Sequence, residues 1–163
     1  MRTRVHRSNG RWGSRAGSAM VEFALGSGIL VTVFTSAFQY GYIFYQYNSL
    51  ENAVANGAHY ASLRPYNAQC SSPSDTTYSD AVKNMVVFGD PTGTNTTPVV
   101  KNLATSNVTV AINPTQATCP TVTWTPSTVN VKITGFTIDA IFGSFTANNK
   151  PSVTYVYQGI FSP

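Results

Sequence analysis

The 163-residue chain holds about one domain's worth of sequence, and only 10% of it is charged, against roughly 25% in soluble globular proteins. Its formal charge of +4 comes from one end: Arg2, Arg4, Arg7, Arg11 and Arg15 all precede Gly17 with no acid among them, while residues 18–163 hold five basic residues against six acidic ones, a balance of −1. A nucleic-acid partner needs basic residues spread over a folded surface, so that class is excluded.

Residues 1–17 read as a basic leader. From Phe23 to Leu50 runs a stretch of 28 residues without a charge, and about 20 apolar residues suffice to cross a bilayer as a helix. The first part is the more apolar. Gly26, Gly28, Thr32, Thr35 and Ser36 are small residues that membrane helices accept where helices touch. Tyr40, Tyr42, Phe44, Tyr45 and Tyr47 form the ring-rich band expected at a membrane–water interface. The expected span covers about residues 20–45. A chain this short has too little other sequence to bury such a segment as a soluble core helix. A cleaved secretory signal would have a shorter apolar stretch and an A-x-A-like site after it, which this sequence lacks. The arginines fix the orientation: positive residues flanking a span stay in the cytoplasm, so the C-terminal part of a single-pass protein is expected to be exported.

The junction reads Arg15-Ala16-Gly17-Ser18-Ala19-Met20-Val21-Glu22-Phe23-Ala24-Leu25. A glycine ends the basic leader and an acid follows five residues later in apolar surroundings. This arrangement resembles the class III signal of type IV pilins and pseudopilins. G-S-A-M-V-E-F-A-L, with the later N-A-V-A-N-G-A-H-Y-A (Asn52–Ala61), resembles more narrowly the TadE-like minor pilins of tight-adherence (Flp-type) pili, over residues 11–63. The resemblance implies cleavage between Gly17 and Ser18 by a prepilin peptidase on the cytoplasmic face. It implies an assembly role for Glu22, whose carboxylate would neutralise the N-terminal amine of a neighbouring pilin. Other pilin subunits and the pilus assembly platform are the partners it implies, besides the lipid bilayer. The chain is much longer than a major Flp pilin, which points to a minor or accessory subunit in adhesion or secretion. Independently of any family, a carboxylate in a membrane segment is costly and usually has a partner or a function; the plain alternative is that Glu22 lies in the headgroup region near water.

Beyond the span, Leu50, Val54, Gly57 or Ala58, and Ala61 recur at helical spacing, with Glu51, Asn52, Asn56 and His59 opposite. Leu63-Arg64-Pro65 closes the helix, because a residue before proline is pushed out of helical geometry. One helix over residues 18–63 is expected, half in the membrane and half outside, leaving 64–163 as an exported α+β domain. Residues 66–77 read as a loop. Ser79–Phe88 reads as an amphipathic helix with Ala81, Val82, Met85 and Val86 on one side, and Gly89-Asp90-Pro91 ends it. A second loop runs from Asp90 to Pro98. Asn95-Thr96-Thr97 and Asn107-Val108-Thr109 match the glycosylation sequon, in a bacterial setting by chance. Strands follow from alternation: Val108, Val110, Ile112; Val129, Val131, Ile133; Val153, Tyr155, Tyr157; and a weaker one over Thr121–Thr125. Phe136–Phe145 reads as a short helix or a structured crossover. The expected fold is α+β and pilin-like, with the outer half of the long helix packed on a small antiparallel sheet.

Cys70 and Cys119 fall after the span. Two thiols without clustered histidines make a poor zinc site, and in an oxidising compartment a disulfide between them is the expected use. Asp75, Asp80, Asp90 and Asp139 are scattered, and His59 is the one histidine outside the leader. No phosphate-binding glycine loop or nucleophile elbow is present. Neither an enzyme nor a metal or cofactor site is expected. Two classes remain: a minor pilin or pseudopilin that acts in pilus assembly or function, and a membrane-anchored surface or periplasmic binding module that never enters a filament. Both account for the anchor, but Gly17 and Glu22 together are explained by the first alone.

Overall fold

Hydrophobic periodicity marks the outer part of the long helix, where Leu50, Val54, Ala58 and Ala61 are buried. The computed structural model describes residues 13–66, 76–113 and 126–159, and divides into two compact units, Met1–Tyr40 and Gly41–Pro163. Helix α1 is assigned over Gly13–Leu63.

In the first unit the described residues are helical throughout, and their large apolar side chains are uncovered: Phe23 is 77% exposed and Phe38 75%. Four hydroxyl side chains here are satisfied within the helix. Ser27 donates to the Ala24 carbonyl, Thr32 to Gly28, Thr35 to Val31 and Ser36 to Thr32, at 2.7–2.9 Å. Back-bonding of this kind hides a hydroxyl from an apolar solvent without a second chain.

The second unit holds the core. Leu50, Ala53, Val54, Gly57, Ala58 and Ala61 are buried, while Glu51, Asn52, Asn56 and His59 stay exposed, the division that the helical spacing predicts. α1 ends as Arg64 N–H bonds the Tyr60 carbonyl at 3.1 Å. Helix α2, Thr76–Phe88, starts earlier than the sequence pattern indicates. It buries Tyr78, Ala81, Val82, Val86 and Val87, while Met85 is only half-buried. At Gly57 the two helices come so close that an added Cβ would overlap Val86 Cγ2.

Strands β1 (Val108–Asn113), β2 (Thr128–Ile133) and β5 (Ser152–Val156) form an antiparallel sheet in the order β1-β2-β5. The central strand β2 alternates cleanly, with Val129, Val131 and Ile133 fully buried; Val131 faces Val110 on one side and Val153 on the other. Between β2 and β5, β3 (Phe136–Ala140) and β4 (Gly143–Ala147) form a separate two-stranded hairpin. This corrects the reading of Phe136–Phe145 as a helix or crossover. Phe136 opposes Ala147 and Ile138 opposes Phe145, a period of two that the apolar turn Ile141-Phe142 disguises. Gly143, at φ +117°, takes a conformation that side chains disfavour. The expected strand at Thr121–Thr125 lies outside the described residues. The fold is α+β: the long helix, α2 and the sheets share one apolar cluster from Leu50 to Tyr157.

Gly57→Ala should lower the thermal unfolding midpoint of the full chain in detergent, since overpacking a tight contact costs about 1–3 kcal/mol. An unchanged or raised midpoint would mean that the gain of about 1 kcal/mol in helix propensity outweighs the contact with Val86.

Candidate assembly and processing site

Gly17, Ser18 and Glu22 all lie within α1. A Cβ added at Gly17 would meet no atom within 4 Å, so nothing in the fold itself demands a glycine there. Residues 17–26 are exposed throughout. Ser18 and Glu22 are four apart, hence on one helical face with a rise of about 6 Å between them. Among the described residues, none bonds or ion-pairs with the Glu22 carboxylate. The site is a bare helix segment whose groups face outward, an arrangement suited to contact with another molecule rather than to chemistry within one chain.

Two other acidic groups have structural employment. Asp80 lies 3.8 Å from Lys83 one turn on. Asp90 accepts the Thr94 and Thr92 hydroxyls at 2.6 and 2.7 Å, and the Thr92, Thr94 and Asn95 backbone N–H groups at 3.0–3.2 Å. The Thr94 and Thr92 hydroxyls, with these amides, hold its carboxyl well below the usual carboxylate range. A depressed native pKa stabilises above the ordinary carboxyl pKa and loses that effect only as pH falls through the lower value, so this loop stays tied near neutrality. His59 is exposed and meets Tyr155 edge-on, ring centroids 5.9 Å apart. Among the described residues no group of His, Cys, Asp and Glu is gathered for a metal.

The C-terminal side of the domain is clasped through Tyr157, whose role the sequence did not reveal. Its hydroxyl donates to the Arg64 carbonyl at 2.9 Å and accepts from Tyr66 N–H at 2.8 Å. Its own N–H bonds the Ser127 carbonyl at 2.9 Å, and Ser127 N–H bonds Asn113, also at 2.9 Å. Burial raises the phenol pKa above its ordinary value, which keeps the donor proton in place. Gly159 passes so close that a Cβ would come within 2.6 Å of the Tyr157 hydroxyl and 2.7 Å of the Arg64 carbonyl. One side chain thus ties the end of α1 to the sheet. Cys70 and Cys119 lie outside the described residues, four positions beyond Tyr66 and six beyond Asn113.

α1 is the one helix among the described residues that is long and apolar enough to cross a membrane, and its most apolar window is wholly unburied. It is therefore compatible with single-pass anchoring. No curated protein and no solved structure matches the chain. Residues 17–59, about a quarter of the chain, running through the apolar segment into the part of α1 that lies in the core, match the family model described as TadE-like protein, in keeping with a TadE-like pilin of tight-adherence pili.

Proposed function

We propose that the chain is a minor pilin or pseudopilin of a tight-adherence pilus, anchored in the bacterial inner membrane by residues of about 20–45 and exporting its α+β domain. The observation that carries this reading is the basic leader ending at Gly17-Ser18 immediately before the apolar helix, with Glu22 on the same helical face as the new terminus. A prepilin peptidase removes residues 1–17. The freed Ser18 amine and the Glu22 carboxylate then offer opposite charges at one end of a helix that is otherwise apolar, and neighbouring subunits pair them. A neighbouring subunit offers each charge in the membrane a complement, so assembly relieves a cost of burying it. The role is structural, with no reaction assigned to the chain.

Gly17 supports the reading because the fold leaves open space around it: a side chain there would disturb nothing in the protein, so the requirement for glycine belongs to the peptidase. Gly17→Val is expected to block processing. N-terminal sequencing of the mature protein should give Ser18; an intact Met1 or another first residue would contradict the cut.

Glu22→Ala should insert normally, since losing a charge eases insertion, yet reduce piliation. Counting pili at matched protein levels tests this, and wild-type numbers would remove Glu22 from assembly.

Cys70 and Cys119 pair after export. Tyr66 and Asn113, the described residues before them, are both linked to Tyr157 through the bonds above, and four to six residues reach roughly 13–20 Å when extended. Closing a loop of about 50 residues stabilises by roughly 4 kcal/mol in the chain-entropy account. Alkylation in whole cells followed by mass measurement should modify neither cysteine without reductant and both with it. Labelling of both without reductant would break the pairing.

A further inference from the structure

The end of α1, one face of α2 and the loop after α2 enclose an open recess of about 460 Å³. Its walls are Tyr60 and Arg64 of α1, Asp80 and Asn84 of α2, and Pro91 and Thr92 of the loop. The volume falls within the roughly 300–1,000 Å³ of small-ligand sites. All of these residues belong to the second unit.

Arg64 is the one arginine beyond Gly17. Its N–H bonds the Tyr60 carbonyl and its own carbonyl accepts the Tyr157 hydroxyl, so the backbone is held on both sides. Its Nη1 donates to the Tyr60 hydroxyl at 2.9 Å, and the guanidinium carbon lies 5.8 Å from that ring's centroid. The cation is therefore held in place before any ligand arrives. Among the described residues no carboxylate pairs with it, and its other N–H groups are unspent. The half-buried Asn84 amide is also without a hydrogen bond among the described residues. It lies against Gly93, where an added Cβ would come within 2.8 Å of Nδ2. Gly93, at φ +70°, permits the turn that Asp90 ties through Thr92 and Thr94, and this turn shapes the third wall.

We propose that the recess binds a uronic acid residue of an acidic polysaccharide, with Arg64 taking the carboxylate and Asn84 and Asp80 taking ring hydroxyls. The guanidinium fork matches a carboxylate through parallel hydrogen bonds. An ionised acidic side chain of a peptide only accepts, so Asp80 would repel it. A sugar hydroxyl both donates and accepts, and can meet the Asp80 carboxylate and the Asn84 amide together. Lys83, 3.8 Å from Asp80, offsets the negative charge that a uronate would otherwise face. Buried Ala81 and half-buried Pro91 offer apolar surface to the C–H face of the ring. The inference rests on the exported reading above, because such polymers are met outside the cytoplasm.

Trigalacturonate is titrated into the purified full chain, held in a nonionic detergent without a sugar headgroup, and followed by heat and by the amide spectrum. Galactotriose and triglutamate form the neutral-sugar and acidic-peptide arms. Saturable binding of trigalacturonate is expected, stronger than that of either control. Arg64→Gln should weaken it about tenfold, as loss of a charge-assisted pair does, and Asn84→Ala by less. Asp80→Asn should narrow the preference over triglutamate. The Asp80 side chain is 66% exposed, so this readout stands even if Arg64→Gln fails to fold. Equal binding of triglutamate would assign the recess to an acidic peptide and overturn the saccharide. Equal binding of galactotriose would overturn the role of Arg64. No saturable binding of trigalacturonate would overturn the site altogether while leaving leader processing and piliation untouched.

Discussion

The structure depends on the uneven burial of one helix. Apolar side chains from Met20 to Phe38 have no protein to cover them, while from Leu50 onward the same helix is closed in by α2 and the sheet. Burial is worth roughly 25 cal/mol per Å² of apolar surface, so a segment this long and bare is untenable in water and requires another apolar medium. A bilayer is one such medium, and the internal bonding of Ser27, Thr32, Thr35 and Ser36 is compatible with entry into it.

The domain beyond the span is small, and its core is made largely of valine, alanine and tyrosine. Small side chains permit the close approach at Gly57, and they leave the polar tyrosines to make specific ties. Tyr78 donates to the Ala61 carbonyl and stacks edge-on with Tyr66 at 5.1 Å, while Tyr157 joins the end of α1 to the C-terminal strand. These bonds gather around the end of α1.

Much of this was legible in residue order. The helix continues past the uncovered apolar stretch because Leu50, Val54, Ala58 and Ala61 keep the period, and β2 was readable because Val129, Val131 and Ile133 alternate without a break. The hairpin was not, since its turn carries Ile141-Phe142 where polar turn residues or glycine would ordinarily stand. Its apolar tip breaks the pattern for the same reason that it is exposed. Tyr157 was equally hidden: its partner Tyr66 lies 91 positions away, and no periodicity reports so distant a bond. Of the candidate site, Gly17 and Glu22 were visible in the sequence because each is exceptional in its neighbourhood, while the fold adds the open space around the one and the exposure of the other.

The central claim is that the helix crosses the membrane once and delivers the domain to the far side. Alkaline phosphatase, which folds to activity only outside the cytoplasm, joined after Pro163 measures this most directly when combined with carbonate extraction of the membranes. The account predicts an active fusion that remains in the carbonate-washed pellet. An inactive fusion, or an active one released into the soluble fraction, would contradict it.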